Sequence, residues 1–173
     1  MDASDLSRLI ADVPDFPSPG IVFKDITPLL ASPEATAAAI ELLAAPFTSE
    51  SVDAVFAMES RGFIFGVGVA QLLGCAFVPV RKPGKLPRET VGVEYALEYG
   101  TDRLEIHSDA VDPGARVLIV DDVLATGGTA AATVDLCAAV GASVVGISVL
   151  LELGFLAGRD AVRGHVVHSV ISV

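Results

Sequence analysis

Four consecutive apolar residues run into two adjacent carboxylates at Val117-Leu118-Ile119-Val120-Asp121-Asp122, and the chain continues Val123-Leu124-Ala125-Thr126-Gly127-Gly128-Thr129. An unbroken apolar run suits a strand buried on both faces, as in the middle of a parallel sheet. Two carboxylates cannot enter such an interior without partners, so the strand is expected to end with them at a polar cleft. In open α/β sheets the cleft beyond the carboxyl ends of the strands is where ligands bind.

The flanking sequence alternates strands and helices, as a parallel sheet requires. Residues 4–11 read as a short amphipathic helix and the proline-rich residues 14–20 as an extended loop. Ser32, Pro33 and Glu34 supply N-cap, first-turn proline and early acid for a helix to about residue 45. Strands are expected at residues 52–58 and 76–80, with a helix between them that begins after Glu59-Ser60-Arg61-Gly62 and runs to about residue 73. Residues 81–90 read as a long mobile loop, and residues 91–99 and 103–107 as a hairpin around Gly100-Thr101-Asp102. After the central strand come a Gly-rich turn, a helix over residues 128–140, and strands at 144–150 and 166–171. The expected fold is α/β: one domain over residues 1–173, with a mainly parallel central sheet flanked by helices and a β-hairpin.

The formal net charge of −11 disfavours nucleic acid and anionic membrane as partners. A polyanionic ligand then needs a local exception, and Arg81, Lys82, Lys85 and Arg88 form the one basic cluster, which by itself also reads as a solvated turn. Residues 62–80 carry no charge, but four glycines, a proline and Gln71 make a helix followed by a buried strand the better reading than a bilayer span. Four aspartates within the first fifteen residues exclude an ordinary secretory signal, and Cys75 and Cys137, alone in apolar segments, read as reduced thiols. Both observations point to the cytoplasm. His165 and His168 would face opposite sides of a strand, no HExxH occurs, and no protein metal-ligand set is expected.

The turn after the acids has the chemistry of a phosphate cradle. Gly127 and Gly128 let backbone N–H groups converge, Thr126 and Thr129 add hydroxyl donors, and the following helix presents its positive end. Asp121 and Asp122 are placed to accept hydrogen bonds from vicinal ribose hydroxyls or to assist a hydrated Mg²⁺. A carboxylate-capped strand–turn–helix joint would account for one Asp and one Gly, but not for two acids, two threonines and two glycines in this order. No GxxxxGK[ST] occurs, and Gly66 and Gly68 do not complete GxGxxG because Gln71 takes the third position.

The thirteen residues from Val117 to Thr129 resemble the phosphoribosyl-pyrophosphate motif of the type I phosphoribosyltransferases. Further blocks narrow the resemblance to the adenine phosphoribosyltransferases: Phe16-Pro17-Ser18-Pro19-Gly20-Ile21-Val22-Phe23-Lys24-Asp25-Ile26, Glu59-Ser60-Arg61-Gly62-Phe63, Arg81-Lys82-Pro83-Gly84-Lys85-Leu86-Pro87, Glu98-Tyr99-Gly100 and Leu104-Glu105-Ile106. The resemblance implies transfer of the phosphoribosyl group of 5-phosphoribosyl 1-pyrophosphate (PRPP) to adenine, giving AMP and pyrophosphate, in a homodimer, with Mg²⁺ carried mainly by the pyrophosphate of PRPP. It implies that Asp121 and Asp122 hold the ribose hydroxyls, and that Ala125, Thr126, Gly127, Gly128 and Thr129 hold the 5-phosphate. Arg61, Arg81, Lys82 and Lys85 would contact pyrophosphate, Arg81 across a subunit interface. Phe23 would stack on adenine between the backbone groups of Val22 and Lys24, with Leu153 opposite, and Glu98 and Tyr99 would lie near the reacting centre on a lid of residues 81–99. The C-terminal strand departs from the family in lacking an aromatic residue. A regulator that used such a site as a sensor while binding nucleic acid would need a winged helix or a basic surface, and neither the length nor the charge supplies one.

Overall fold

The apolar run of the sequence forms the middle of the sheet. The structure, a computed structural model, describes residues 1–96 and 100–173. In chain order the elements are α1 (Ala3–Ser7), β1 (Ala11–Pro14), β2 (Val22–Asp25), α2 (Thr27–Leu30), α3 (Pro33–Ala44), β3 (Ala54–Met58), α4 (Gly62–Leu73) and β4 (Ala76–Val80). They continue with β5 (Thr90–Ala96), β6 (Thr101–His107), β7 (Arg116–Leu124), α5 (Gly128–Ala139), β8 (Ser143–Glu152) and β9 (Val167–Ser172). Five strands make a wholly parallel sheet in the order β4-β3-β7-β8-β9, while β1–β2 and β5–β6 are separate antiparallel hairpins.

Alternation along β7 divides the core in two. Leu118 and Val120 pack with Leu43 of α3, Phe65 and Val69 of α4 and Leu6 of α1 on one face of the sheet. Val117 and Ile119 pack with Leu136 and Cys137 of α5 and with Leu104 and Ile106 of β6 on the other. All four β7 residues are fully buried, each stabilising the fold by roughly 1.5–3 kcal/mol. Local signals set the helix ends: the Ser32 hydroxyl accepts the Ala35 N–H at 3.2 Å at the start of α3, and α4 stops at Gly74, whose φ is +67°.

Three expectations are corrected. The first helix ends at Ser7, and Ala11–Pro14 instead pairs with Val22–Asp25, so residues 15–21 close a hairpin. The 3.6-residue pattern could not reveal that pairing, because the partner strand lies beyond a proline-rich loop. The central strand does not stop at its carboxylates but continues through Asp121 and Asp122 to Leu124. It can do so because β8 pairs with it as far as Leu124, while β3 pairs with it only to Val120. The second strand of the hairpin begins two residues earlier than expected, at Thr101, where it pairs with Ala96, and residues 97–99 of the expected first strand lie outside the described residues.

Gly66 and Gly68, left without a role by the failed dinucleotide motif, are close-approach glycines of α4. A Cβ on Gly66 would stand 2.5 Å from the Ala57 Cβ on β3, and one on Gly68 would stand 2.6 Å from Ile40 Cδ1 on α3. Gly66→Ala is therefore expected to destabilise the fold by about 1–3 kcal/mol through overpacking, read as a lower denaturant midpoint with an unchanged m-value.

Candidate active site

Beyond Val120 the β3 edge of β7 is free, and the first turn of α4 occupies that space. A Cβ on Gly62 would lie 2.8 Å from Asp121 Oδ1 and 3.2 Å from the Val120 carbonyl oxygen, so glycine leaves room for this approach. Arg61, just before it, places Nε 2.7 Å from Asp122 Oδ2. Asp122 is buried and its Oδ2 takes no well-aligned hydrogen bond, which makes the contact an ion pair of poor angle. Asp121 Oδ1 accepts the Asp122 N–H at 2.9 Å.

Immediately after the strand, residues 125–129 wrap a small concavity together with Met58, Asp121, Val123 and Val149. Gly127 has φ +84°, and a Cβ there would stand 2.3 Å from the Gly158 carbonyl oxygen, so glycine is required on two counts. α5 starts at Gly128, and the first N–H groups of a helix have no partner within it. They and the Thr126 and Thr129 hydroxyls supply donors around the cup, beside two carboxylates.

Phe23 on β2 joins the site through Arg61. The Arg61 guanidinium carbon lies 5.2 Å from the centroid of its ring, and Phe16 meets the ring edge-on with centroids 5.2 Å apart. Arg61 thus links an aromatic face to a buried carboxylate. Lys24 Nζ pairs with Asp12 Oδ1 at 2.6 Å across the β1–β2 hairpin, holding β2 in place.

The chain matches the phosphoribosyl transferase domain family over residues 25–170. It is 62% identical to an adenine phosphoribosyltransferase of Nocardioides sp. over 91% of this chain and 88% of that one. The crystal structure of the adenine phosphoribosyltransferase of Thermoanaerobacter pseudethanolicus superposes with a TM-score of 0.96 at 50% identity, over 99% of each chain. The chain belongs to the adenine phosphoribosyltransferase family. The Saccharomyces cerevisiae member, solved with an imino-altritol bisphosphate and adenine, has a TM-score of 0.92 at 39% identity over 97% of each chain.

Against the site residues that the family resemblance implied, the structure brings Arg61, Asp121, Asp122 and residues 125–129 together, with Phe23 joined to them through Arg61. Leu153 follows β8, and its N–H donates to the Leu124 carbonyl at 2.9 Å, directly before the cup. Glu98 and Tyr99 lie outside the described residues. The basic cluster is less free than its count suggested. Arg81 Nε reaches Glu59 Oε2 at 2.7 Å, Lys82 Nζ reaches Asp102 Oδ2 at 3.1 Å, and Arg88 pairs with Asp109. Lys85 is exposed and makes no ion pair among the described residues.

Sequence reasoning missed the acids that organise these cations. Glu59 also accepts the Lys82 backbone N–H at 2.8 Å, so one carboxylate fixes the whole exit from β4. Asp102 accepts from the Tyr95 hydroxyl at 3.3 Å, and the Tyr95 ring lies 3.5 Å from the Cβ position of Gly128. A chain of contacts therefore runs from Lys82 through Asp102 and Tyr95 to the head of α5. The only available signal was period-two alternation, which places Tyr95 and Asp102 as cross-strand neighbours once the hairpin register is known.

Burial, and then the neighbouring Asp122 charge, push the Asp121 carboxyl well above its usual range. Burial also raises Asp122, against the pull of Arg61. A carboxylate whose folded pKa is raised destabilises the fold above its unfolded pKa, and the cost is relieved as pH falls through the folded value. Asp121→Asn, which keeps an oxygen for the Asp122 N–H, is expected to raise the thermal midpoint at pH 7, by about 2–4 °C per kcal/mol relieved. Asp122→Asn should gain less, because it leaves Arg61 unpaired. Calorimetry of both variants at pH 7 and pH 5 checks the order, and the gain should shrink at the lower pH.

Proposed function

We propose that the protein transfers the 5-phosphoribosyl group from PRPP to adenine, releasing AMP and pyrophosphate. The observation that carries this reading is the glycine-lined cup at the head of α5, set directly after two adjacent carboxylates. In this reading the cup binds the 5-phosphate through backbone N–H groups, and Asp121 and Asp122 accept hydrogen bonds from the ribose hydroxyls. Arg61, Arg81 and Lys82 draw the pyrophosphate by exchanging internal carboxylate partners for phosphate oxygens, and the exposed Lys85 joins them. Phe23 stacks on the base, the backbone of Val22 and Lys24 reads its edge, and Leu153 covers the other face. At the anomeric carbon the bond to the pyrophosphate oxygen breaks with its electron pair as a base nitrogen forms the new C–N bond, and the nitrogen's proton passes to solvent. Positive charge develops on the sugar in such a step, and the fixed carboxylates of β7 favour it.

The site suits Mg²⁺ brought by the substrate. Among the described residues no group of three or more His, Cys, Asp or Glu side chains converges on a metal position, whereas Asp121 lines the cup as a single, largely buried carboxylate. Magnesium commonly retains water and phosphate oxygens and takes only one or two protein carboxylates. Bound there, it would neutralise charge on the leaving pyrophosphate.

A homodimer and a cytoplasmic location belong to the same reading. No described helix is long and apolar enough to cross a membrane. Ile64, Val67 and Leu72 form an exposed apolar stripe on the uncharged α4, close in sequence to the Arg81 region, and a second copy of the chain is the partner that the family resemblance suggests.

AMP synthesis from adenine and PRPP should require Mg²⁺ and disappear in excess chelator. Guanine and hypoxanthine should be poorer by a factor of roughly 10⁴, because an oxygen at C6 turns the N1 acceptor into a donor. Comparable turnover of those bases would refute the adenine assignment. Asp121→Asn and Asp122→Asn should each lower kcat/KM by about tenfold or more, since an amide accepts from ribose more weakly than a carboxylate. Sedimentation should show a dimer that Val67→Asp dissociates.

A further inference from the structure

The sheet end behind the cup holds a second polar cluster with no part in the chemistry described above. Glu152, the last residue of β8, is buried, yet it is an acid. Its two oxygens take a parallel fork from Arg159, Nε to Oε1 at 2.7 Å and Nη2 to Oε2 at 2.7 Å. The Ser169 hydroxyl on β9 donates to Oε2 at 2.6 Å. Arg159 also donates through Nη1 to the Val167 carbonyl at 3.0 Å and through Nη2 to the Ser169 hydroxyl at 3.2 Å. Arg159 holds the Glu152 carboxyl below its usual range. A forked, charge-assisted pair of this kind fixes orientation as well as distance.

Arg159 belongs to the short 3₁₀ turn Gly158–Val162, and that turn packs against the backbone of the cup. A Cβ on Gly158 would stand 2.2 Å from the Ala125 carbonyl oxygen, and one on Gly127 would stand 2.3 Å from the Gly158 carbonyl oxygen and 2.8 Å from the Ala161 Cβ. The backbones of cup and turn are therefore in direct contact without slack. Val162 fixes one end of the turn in the core, and Arg159 ties the other to the sheet. Glu152 itself pairs with Leu124, the residue before the cup.

We infer that Glu152 and Arg159 are positioning residues for the phosphate cup: their clasp presses the Gly158–Val162 turn against Ala125 and Gly127 and so presets the backbone N–H groups that receive the 5-phosphate. This rests on the proposed phosphoribosyl transfer. Preset donors bind an anion without the cost of ordering the loop.

Ribose 5-phosphate engages the cup without a pyrophosphate, and free pyrophosphate engages the cations without the cup. Titration calorimetry of both ligands on the intact protein therefore separates the contributions. Arg159→Gln is expected to weaken ribose 5-phosphate about tenfold and to leave pyrophosphate within twofold. Arg159→Lys, which keeps the charge but loses the fork, should fall between, and it carries the same comparison if Arg159→Gln does not fold. Unchanged ribose 5-phosphate affinity in these variants would overturn the positioning role, as would equal weakening of both ligands, the mark of general loosening. Wild-type protein that binds neither ligand would instead overturn the phosphoribosyl-transfer reading on which the inference rests.

Discussion

β7 outlasts its neighbour. It is hydrogen-bonded to β8 through Leu124 but to β3 only through Val120, so its last residues are paired on one edge and open on the other. A strand in this position can carry carboxylates that a fully paired central strand could not, because solvent and side chains reach them from the vacant edge. The vacancy is filled by the turn into α4, where Gly62 permits backbone approach to Asp121 and Arg61 supplies a cation to Asp122. The cup at the head of α5 follows directly after these two acids, and Arg61 joins the Phe23 ring to them.

This arrangement opposes stability to function at named atoms. Asp121 and Asp122 are adjacent, are each disfavoured as anions by burial, and share one nearby arginine. Folding tolerates the cost because the sheet above and below is well packed: Val117 to Val120 are fully buried between two helical layers. Strain of this kind at a polar cleft is where local rules are expected to yield to chemistry.

Much of the sheet could be read from the chain because its signals are local. The 76–80 strand, the helix capped by Ser32 and the helix following Gly127 each carry their own boundary marks, and the structure places them within a residue or so. The motif at residues 117–129 was legible for the same reason: apolar run, acids, glycines and hydroxyls stand in one stretch. What could not be read depends on partners far away in sequence. Nothing in Ala11–Pro14 announces Val22–Asp25 as its mate, and nothing in the acids themselves says that β8 extends their strand while β3 does not. Gly158 looks like an ordinary loop glycine until it is seen against Ala125, and Glu152 like an edge residue until Arg159 closes on it.

The pairing of the cations has a consequence for how an acidic protein can take a polyanion. Arg61, Arg81 and Lys82 hold Asp122, Glu59 and Asp102, so three of the four cations assigned to pyrophosphate already face carboxylates. With a chain charge of −11, long-range attraction of a phosphate-bearing ligand is weak. On the proposed function, affinity would come from exchange at contact, in which phosphate oxygens replace carboxylates around the same guanidinium and ammonium groups, and from neutral backbone donors at Gly127 and Gly128. The released carboxylates would not be left bare in this exchange: Asp122 would turn to a sugar hydroxyl, Glu59 keeps the Lys82 N–H, and Asp102 keeps the Arg103 N–H and the Tyr95 hydroxyl. A dication travelling with the ligand offsets the remaining repulsion, which is why the reading that explains the cup also calls for magnesium on the pyrophosphate rather than a metal fixed in the protein.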